Sequence, residues 1–535
     1  MDSGIQILID QGDSLFGKRQ SLVSLWQCIA DQFYPERSDF TNQRYLGEDF
    51  ASNLTTSYPL IARRDLGNTF SSMLRPTDKD WFRMAVDGVE DHEAKSWLEW
   101  ASKTQKRAMY DRRAQFVRAT KEGDHDFAAF GQAVVSVEVH PDKSSLVYRC
   151  WHLRDVVWCD GPDGAVESVH RKWKTTPYEL KRTFGADKIG PAITKKLEKE
   201  PYCDVQVRHI VVPADMYQGA IKFRTPLVAL FIDVENGHVI EATGARVNPY
   251  VIPRWQTVSG SQYAYSPATV CALPDARLIQ AMTLTLLEAG EKAANPAAIA
   301  VQEAIRGDVN LYAGGITWVD AAYDERLGEV LRPVTTDSRG LPLSMELIQD
   351  TRSMIRAAFY LDKLDLPVRG TEMTAYEVGQ RVQQYIRNAL PLFEPVEVDY
   401  NGALCERTFE VMLMAGAFGA PDSMPESLSG RDIEFKFISP LREAIEKQKG
   451  QTFVESATML AQAAALDPSA PSIVNVQEAL RDTLEGIGVP AKWTRSRDDV
   501  AAIVEQQAAM AQQKQLLESM QQAAGVAKDL QGAAA

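Results

Sequence analysis

Two groups of residues carry side chains whose types could do chemistry. Cys150, His152, Cys159 and His170 offer thiols and imidazoles, the donors that hold zinc. Gly123-Asp124-His125-Asp126 sets two carboxylates around an imidazole, as a hydrolase or a metal cluster would. Neither pattern carries far. The Cys/His spacing matches no common zinc motif, and those residues fall in segments that read as strands, where Cys and His simply pack. The Gly-Asp-His-Asp run reads as a solvated loop ahead of a strand starting at 133. Phosphate chemistry is also unsupported: no G-x-x-x-x-G-K-[ST] occurs, and Gly17-Lys18 runs into Arg19, so the chain lacks the cradle of a nucleotide-driven motor. G-x-G-x-x-G, G-x-S-x-G and H-E-x-x-H are absent. Met282, Leu286 and Leu287 read as core or subunit contact. No catalytic residue, metal or cofactor is assigned.

The elements that would position any site come next. The chain has 535 residues, 45% apolar and 24% charged, with a formal net charge of -14. That length predicts two to four domains. The charge argues against gripping nucleic acid over a broad face, which needs Lys and Arg to displace phosphate counterions. Most acidic proteins are simply soluble, which is the plainer reading of the charge; it is also compatible with a conduit whose acidic wall lets a duplex slide. The six cysteines (28, 150, 159, 203, 271 and 405) form no C-x-x-C pair, so neither a disulfide framework nor a zinc ribbon is expected, and the compartment reads as reducing cytoplasm. The N-terminus lacks the pattern of a signal peptide, and no apolar run approaches membrane-spanning length.

Residues 1 to about 125 read as mainly helical. Leu22, Leu25, Trp26, Ile29 and Phe33 share one face, and Tyr34-Pro35-Glu36 ends that helix. A second helix is predicted through Leu60 to Leu74 and a third from His92 to about Lys121. From Gly131 to about Val251 the texture becomes β-rich, with strands predicted at Ala133–Val139, Leu146–Trp151, Val156–Trp158, Val205–Val212 and Leu227–Ile232, interrupted by a helix at Pro177–Phe184. The class is α+β. A long helix follows, beginning near Ser266-Pro267 or restarting at Pro274, and stopped by Asn295-Pro296. Short strands are predicted at Asp308–Leu311, Ile316–Val319 and Val330–Val334, then a helix from Ser344 to Tyr360. Leu361–Gly370 reads as a loop, and Thr374-Ala375-Tyr376-Glu377 caps a helix carrying Val378, Val382, Tyr385, Ile386 and Leu390. Helix at Tyr400–Ala417, a strand at Ile433–Ile438 and helix from Leu441 complete the body, and a helical tail lies beyond Val500.

This order of parts resembles the portal, or head-tail connector, proteins of short-tailed bacteriophages. The resemblance rests on Phe70-Ser71-Ser72-Met73-Leu74-Arg75-Pro76 before Trp81-Phe82, on Phe127 to Gly131 leading into a strand, and on Tyr265-Ser266-Pro267, Pro274-Asp275-Ala276 and Asn295-Pro296. It continues with Gly314-Gly315, Glu372-Met373-Thr374-Ala375-Tyr376-Glu377-Val378, Ile438-Ser439-Pro440-Leu441, and Gly488-Val489-Pro490 with Arg495-Ser496. Tyr376 departs from the family's usual Thr. The resemblance implies a wing (1–265), a stem helix (266–295), a clip (296–340), a second stem helix (341–360), a channel loop (361–373), a wing return (374–440), and a crown with helical tail (441–535). It implies a ring of twelve copies at one capsid vertex, made in the host cytoplasm and built into the virion. Double-stranded DNA would pass through it, and the terminase packaging motor, capsid and scaffold proteins, and tail adaptors would dock on it, with no membrane. Lys363 and Arg369, in the channel loop, would touch phosphates. The competing readings are another virion structural protein, such as an internal core or adaptor component, or an α+β enzyme without readable motifs.

Overall fold

In the computed structural model the chain opens with three helices, α1 (Ser3–Lys18), α2 (Gln20–Phe33) and α3 (Tyr58–Leu74), then β1 (Phe82–Ala85) and helices α4 (His92–Met109) and α5 (Phe116–Phe130). The β-rich part holds β2 (Val135–Val139), β3 (Leu146–Cys150), β4 (Val156–Asp160), β5 (Val166–Thr175), α6 (Pro177–Phe184), α7 (Pro191–Lys199), β6 (Val205–Pro213), β7 (Leu227–Asp233) and β8 (His238–Ala245). The short strands β9 (Tyr250–Val251), β10 (Gln256–Thr257) and β11 (Ala264–Tyr265) lead into α8 (Pro267–Ala294). After it come β12 (Ala298–Ala300), β13 (Leu331–Pro333), α9 (Gly340–Ala358), α10 (Leu361–Leu364), a π-helical stretch (Val396–Gly402), α11 (Ala403–Met414), β14 (Glu434–Phe437) and α12 (Val476–Ile487). The structure describes residues 3–45, 47–87, 91–140, 142–219, 224–300, 331–333, 340–364, 396–419, 424–428, 430–438, 453–463 and 474–487, together with scattered positions in 305–320, at 394 and in 489–513.

The chain divides into two units. One holds Met1–Ser71, Val117–Ser136 and Tyr148–Ala403; the other holds Ser72–Phe116, Val137–Val147 and Leu404–Ala535. In the first, an antiparallel sheet ordered β4-β5-β6-β7-β8 is covered on both faces. The two-residue period of a strand sends Ile210, Val212, Val228, Leu230 and Ile232 to one face, where Ile5, Leu8 and Ile9 of α1 pack. Val205 and Val207 point the other way, onto Leu180 of α6 and Ile193 of α7. In the second unit β1 pairs antiparallel with β14, and Trp81 stacks between Phe116 at 6.5 Å and Phe437 at 6.4 Å.

Most predicted elements stand, and four readings need correcting. The helix expected from His92 to Lys121 is two: Asp111 accepts a hydrogen bond from the Arg113 amide and Gln115 adopts φ +57°, a local turn that competes with helix. Gly123-Asp124-His125-Asp126 lies inside α5, with Asp124 and Asp126 buried. Pro274 sits within α8 and does not restart it. Leu361–Leu364 is a helical turn where a loop was expected, set off from α9 by Tyr360 at φ +58°. Strands β5 and β8 and helix α7 were not predicted. The capped helix at 374–390, nearly all of 308–319, and residues 439–452 lie outside the described residues.

A two-helix hairpin as candidate functional site

The arrangement of interest is built upward from Gly131. This residue ends α5 at φ +74°, and a Cβ there would lie 2.1 Å from the Tyr265 carbonyl carbon and 2.3 Å from the Ser266 nitrogen. Only glycine permits that approach. It brings the start of α8 against the end of α5, whose last-turn carbonyls lack helical partners. Ser266 Oγ donates to Ala128 O at 2.7 Å and Thr269 Oγ1 to Ala129 O at 2.7 Å. Ser266 also caps α8, accepting from the Thr269 amide at 3.4 Å, and the Gln132 side chain accepts from the Ala264 amide at 3.0 Å. The Phe127–Gly131 and Tyr265-Ser266-Pro267 motifs, distant in sequence, are thus one joint.

From that joint α8 runs 28 residues, about 42 Å at 1.5 Å per residue. Its first half is buried through Ala268, Ala272, Leu273, Ala276 and Ile279. The second half leaves the body. α9 returns along α8, and the antiparallel pairing of Ala298 with Pro333 and Ala300 with Leu331 closes the far end, so the two helices form a hairpin. At the near end Phe359, just after α9, is fully buried against Phe33 of α2, ring centroids 5.4 Å apart.

Leu284 and Leu287 continue the buried face of α8 beyond the body, 48% and 58% exposed; on α9, Leu347 and Met354, one heptad apart, are 48% and 52% exposed. A half-exposed apolar stripe on each helix is what an element buried by neighbours shows when seen alone. α8 is also long and apolar enough to cross a membrane, judged by length and composition, with a mean hydropathy of 1.3 over its most apolar 18 residues. That departs from the expectation of no such run. The excess arises because α8 is apolar on more than one side.

Lys363 falls in α10, whose backbone is helical, and Arg369 lies outside the described residues.

The other candidates are dispersed to separate partners. Asp126 receives a bidentate pair from Arg37, Nε and Nη2 each at 3.0 Å, with Cys150 Sγ 3.7 Å away. Burial, reinforced by the Asp126 charge, pushes the Cys150 thiol well above its usual range, the opposite of an activated nucleophile. His152 Nε2 lies 2.7 Å from Asp39, which Arg154 also holds. Burial opposes ionisation of Asp39, but these partners outweigh it and hold the carboxyl at about 2. Cys159 Sγ meets the Asp160 carbonyl. His170 is wholly buried under Gly12, and burial together with Arg208 draws its pKa down to about 4. Burial and the Arg63 charge do the same to His125. Among the described residues no group of three His, Cys, Asp or Glu side chains could hold a metal.

Sequence reasoning missed a further buried group. The Tyr250 hydroxyl accepts from Arg171 Nε at 2.8 Å and lies 2.5 Å from Nδ1 of His209, an imidazole that burial keeps neutral. The parts lie far apart in the chain, and no spacing signals them.

The chain is similar to known proteins along most of its length. A probable portal protein of Bordetella phage BPP-1 is 26% identical over 451 residues, 82% of this chain and 79% of that protein. The portal protein of Salmonella phage epsilon15 is 22% identical over 539 aligned positions, 98% of this chain and 94% of that protein. A chain from the virion of a native gene transfer agent particle is similar at a TM-score of 0.37 and 10% identity, covering 80% of this chain and 94% of that one, and nothing rests on a likeness of that size. Residues 7–494 match the family described as bacteriophage head to tail connecting protein, so the chain belongs to that family.

Proposed function

We propose that the chain is the structural subunit of a portal ring at one capsid vertex, through which duplex DNA passes inward during packaging and outward during ejection. The observation that carries this is the α8–α9 hairpin: two helices rooted in a packed body, projecting beyond it, each with an apolar stripe left bare. Identical hairpins side by side bury such stripes through head-to-tail contacts that close into a ring. In this reading 266–295 and 341–360 form the stem, 296–340 the clip, 1–265 and 374–440 the wing, and 441–535 the crown and tail. The clip would receive the packaging ATPase and later the tail adaptors, and the wing would meet capsid and scaffold proteins. Catalysis has no part in it.

The net charge of -14 suits a wall that phosphates slide past. Lys363 and Arg369 are the proposed exceptions, weak phosphate contacts in the channel segment. Particles carrying Lys363→Ala with Arg369→Ala are expected to assemble normally and to lose packaged DNA, read as nuclease-protected genome per particle. Failed assembly, with normal retention in whatever assembles, would contradict that placement.

A further inference from the structure

Among the described residues of 38–57, between α2 and α3, there is no helix or sheet strand, yet the segment is tied down at both ends. At the first end the Gln27 side chain donates to Ser38 O at 2.9 Å and accepts from the Phe40 and Thr41 amides at 3.0 Å each, while Arg44 donates to Pro35 O at 2.7 Å. At the other, the Gln280 side chain on α8 accepts from the Thr55 and Thr56 amides at 2.8 and 2.9 Å and donates to Thr56 O at 3.0 Å. The segment is therefore a strap fastened to the stem hairpin. Its middle presents Tyr45, 72% exposed, and Phe50, 45% exposed, with the Arg44 guanidinium 5.2 Å from the Phe50 ring.

The strap's position on the hairpin points to its occupant. Gln280, Leu284 and Leu287 lie at i, i+4 and i+7, on one face of α8, so the strap adjoins the bare stripe of that helix. Immediately after the strap, Tyr58 lies under Arg352 of α9, 5.6 Å away. Leu347 and Met354 project about 150° around α9 from Arg352, as the 100° step per residue requires. The strap and the α8 stripe thus share one flank of the hairpin, and the α9 stripe occupies the opposite flank. Thr55 and Thr56 on Gln280 and Tyr58 on Arg352 set those two residues at similar heights, so Leu284 and Leu347, each about a turn further along the hairpin, lie roughly level, and Met354 lies near Gln280. Two apolar patches on opposite flanks at matching heights are the two halves of a head-to-tail contact.

We infer that the strap is a clasp between subunits: Tyr45 and Phe50 of one copy close over the Met354 side of the next copy's hairpin, extending the stem contact outward. The inference rests on the ring reading above, and its test separates the two. In full-length protein with the exposed cysteines replaced (Cys28→Ser, Cys271→Ser), the pair Phe50→Cys and Met354→Cys is oxidised and run under denaturing conditions. A ladder of covalent multimers from assembled rings is the expected result. A second variant, Tyr45→Asp with Phe50→Asp, alters only exposed side chains and is expected to raise the concentration for half-assembly by about tenfold, a loss of about 1.4 kcal/mol per contact. Rings without a ladder, a disulfide confined to single chains, or assembly unaffected by the Asp pair would overturn the clasp and leave the ring intact. Absence of rings from the parent chain would overturn the ring reading itself.

Discussion

Asp126 carries the sharpest residue-scale consequence. Its carboxylate is buried in α5 and neutralises an Arg37 guanidinium that is itself mostly covered. Removing one member of such a pair strands the other, which typically costs about 3 to 5 kcal/mol. Asp126→Asn is expected to lower stability by about 3 kcal/mol in urea unfolding, and a change below about 1 kcal/mol would contradict the pairing. Nothing in the sequence announced this role. Asp126 stands in a polar run that resembles a loop, and its partner lies 89 positions earlier. His170 supplies a second test. It is neutral when folded, with a pKa of about 4, whereas the unfolded chain protonates it near 6.5. Between those values the unfolded state binds the extra proton, so stability falls as pH drops from about 6.5 to about 4, by roughly 3 kcal/mol for this residue. Asp39 adds its own loss as pH falls from about 3.8 to about 2, below that window. In His170→Gln the slope of stability against pH between 4 and 6.5 should flatten; an unchanged slope would remove His170 from the account.

At the scale of elements, the joint between α5 and α8 decides where the hairpin points. Gly131→Ala would force a Cβ into the Tyr265–Ser266 peptide and strain a left-handed backbone. The variant is expected to lose at least about 2 kcal/mol, or to fail to accumulate as folded protein; wild-type melting would show the joint to be soft. The joint's two halves were legible as local motifs, and their union was not, because contact across more than 130 residues leaves no spacing to read. Helices were legible: α2, α3, α6, α8 and α9 follow from apolar periodicity and proline. β5 was not. VESVHRKWKT carries charged residues through a strand covered on both faces, with Arg171 sheltered over Trp151 at 3.8 Å, so tertiary partners replace the expected alternation. α4 and α5 read as one helix because the break at Asp111–Gln115 depends on a side-chain turn that periodicity does not register.

At the scale of the whole molecule, one chain shows only half of each contact it makes. Apolar stripes on α8 and α9, the strap with Tyr45 and Phe50, and a 28-residue helix apolar on more than one side are costly on an isolated subunit and become ordinary once copies stand side by side. The proposed channel contacts of Lys363 and Arg369 depend on the same geometry, since Lys363 belongs to the helical turn that follows α9. The most direct test is electron microscopy of the purified full-length chain. The account predicts closed rings with a central bore wide enough for duplex DNA, with the α8–α9 hairpins arrayed around it. Single compact subunits under all assembly conditions, with the hairpin folded back against its own body, would contradict it.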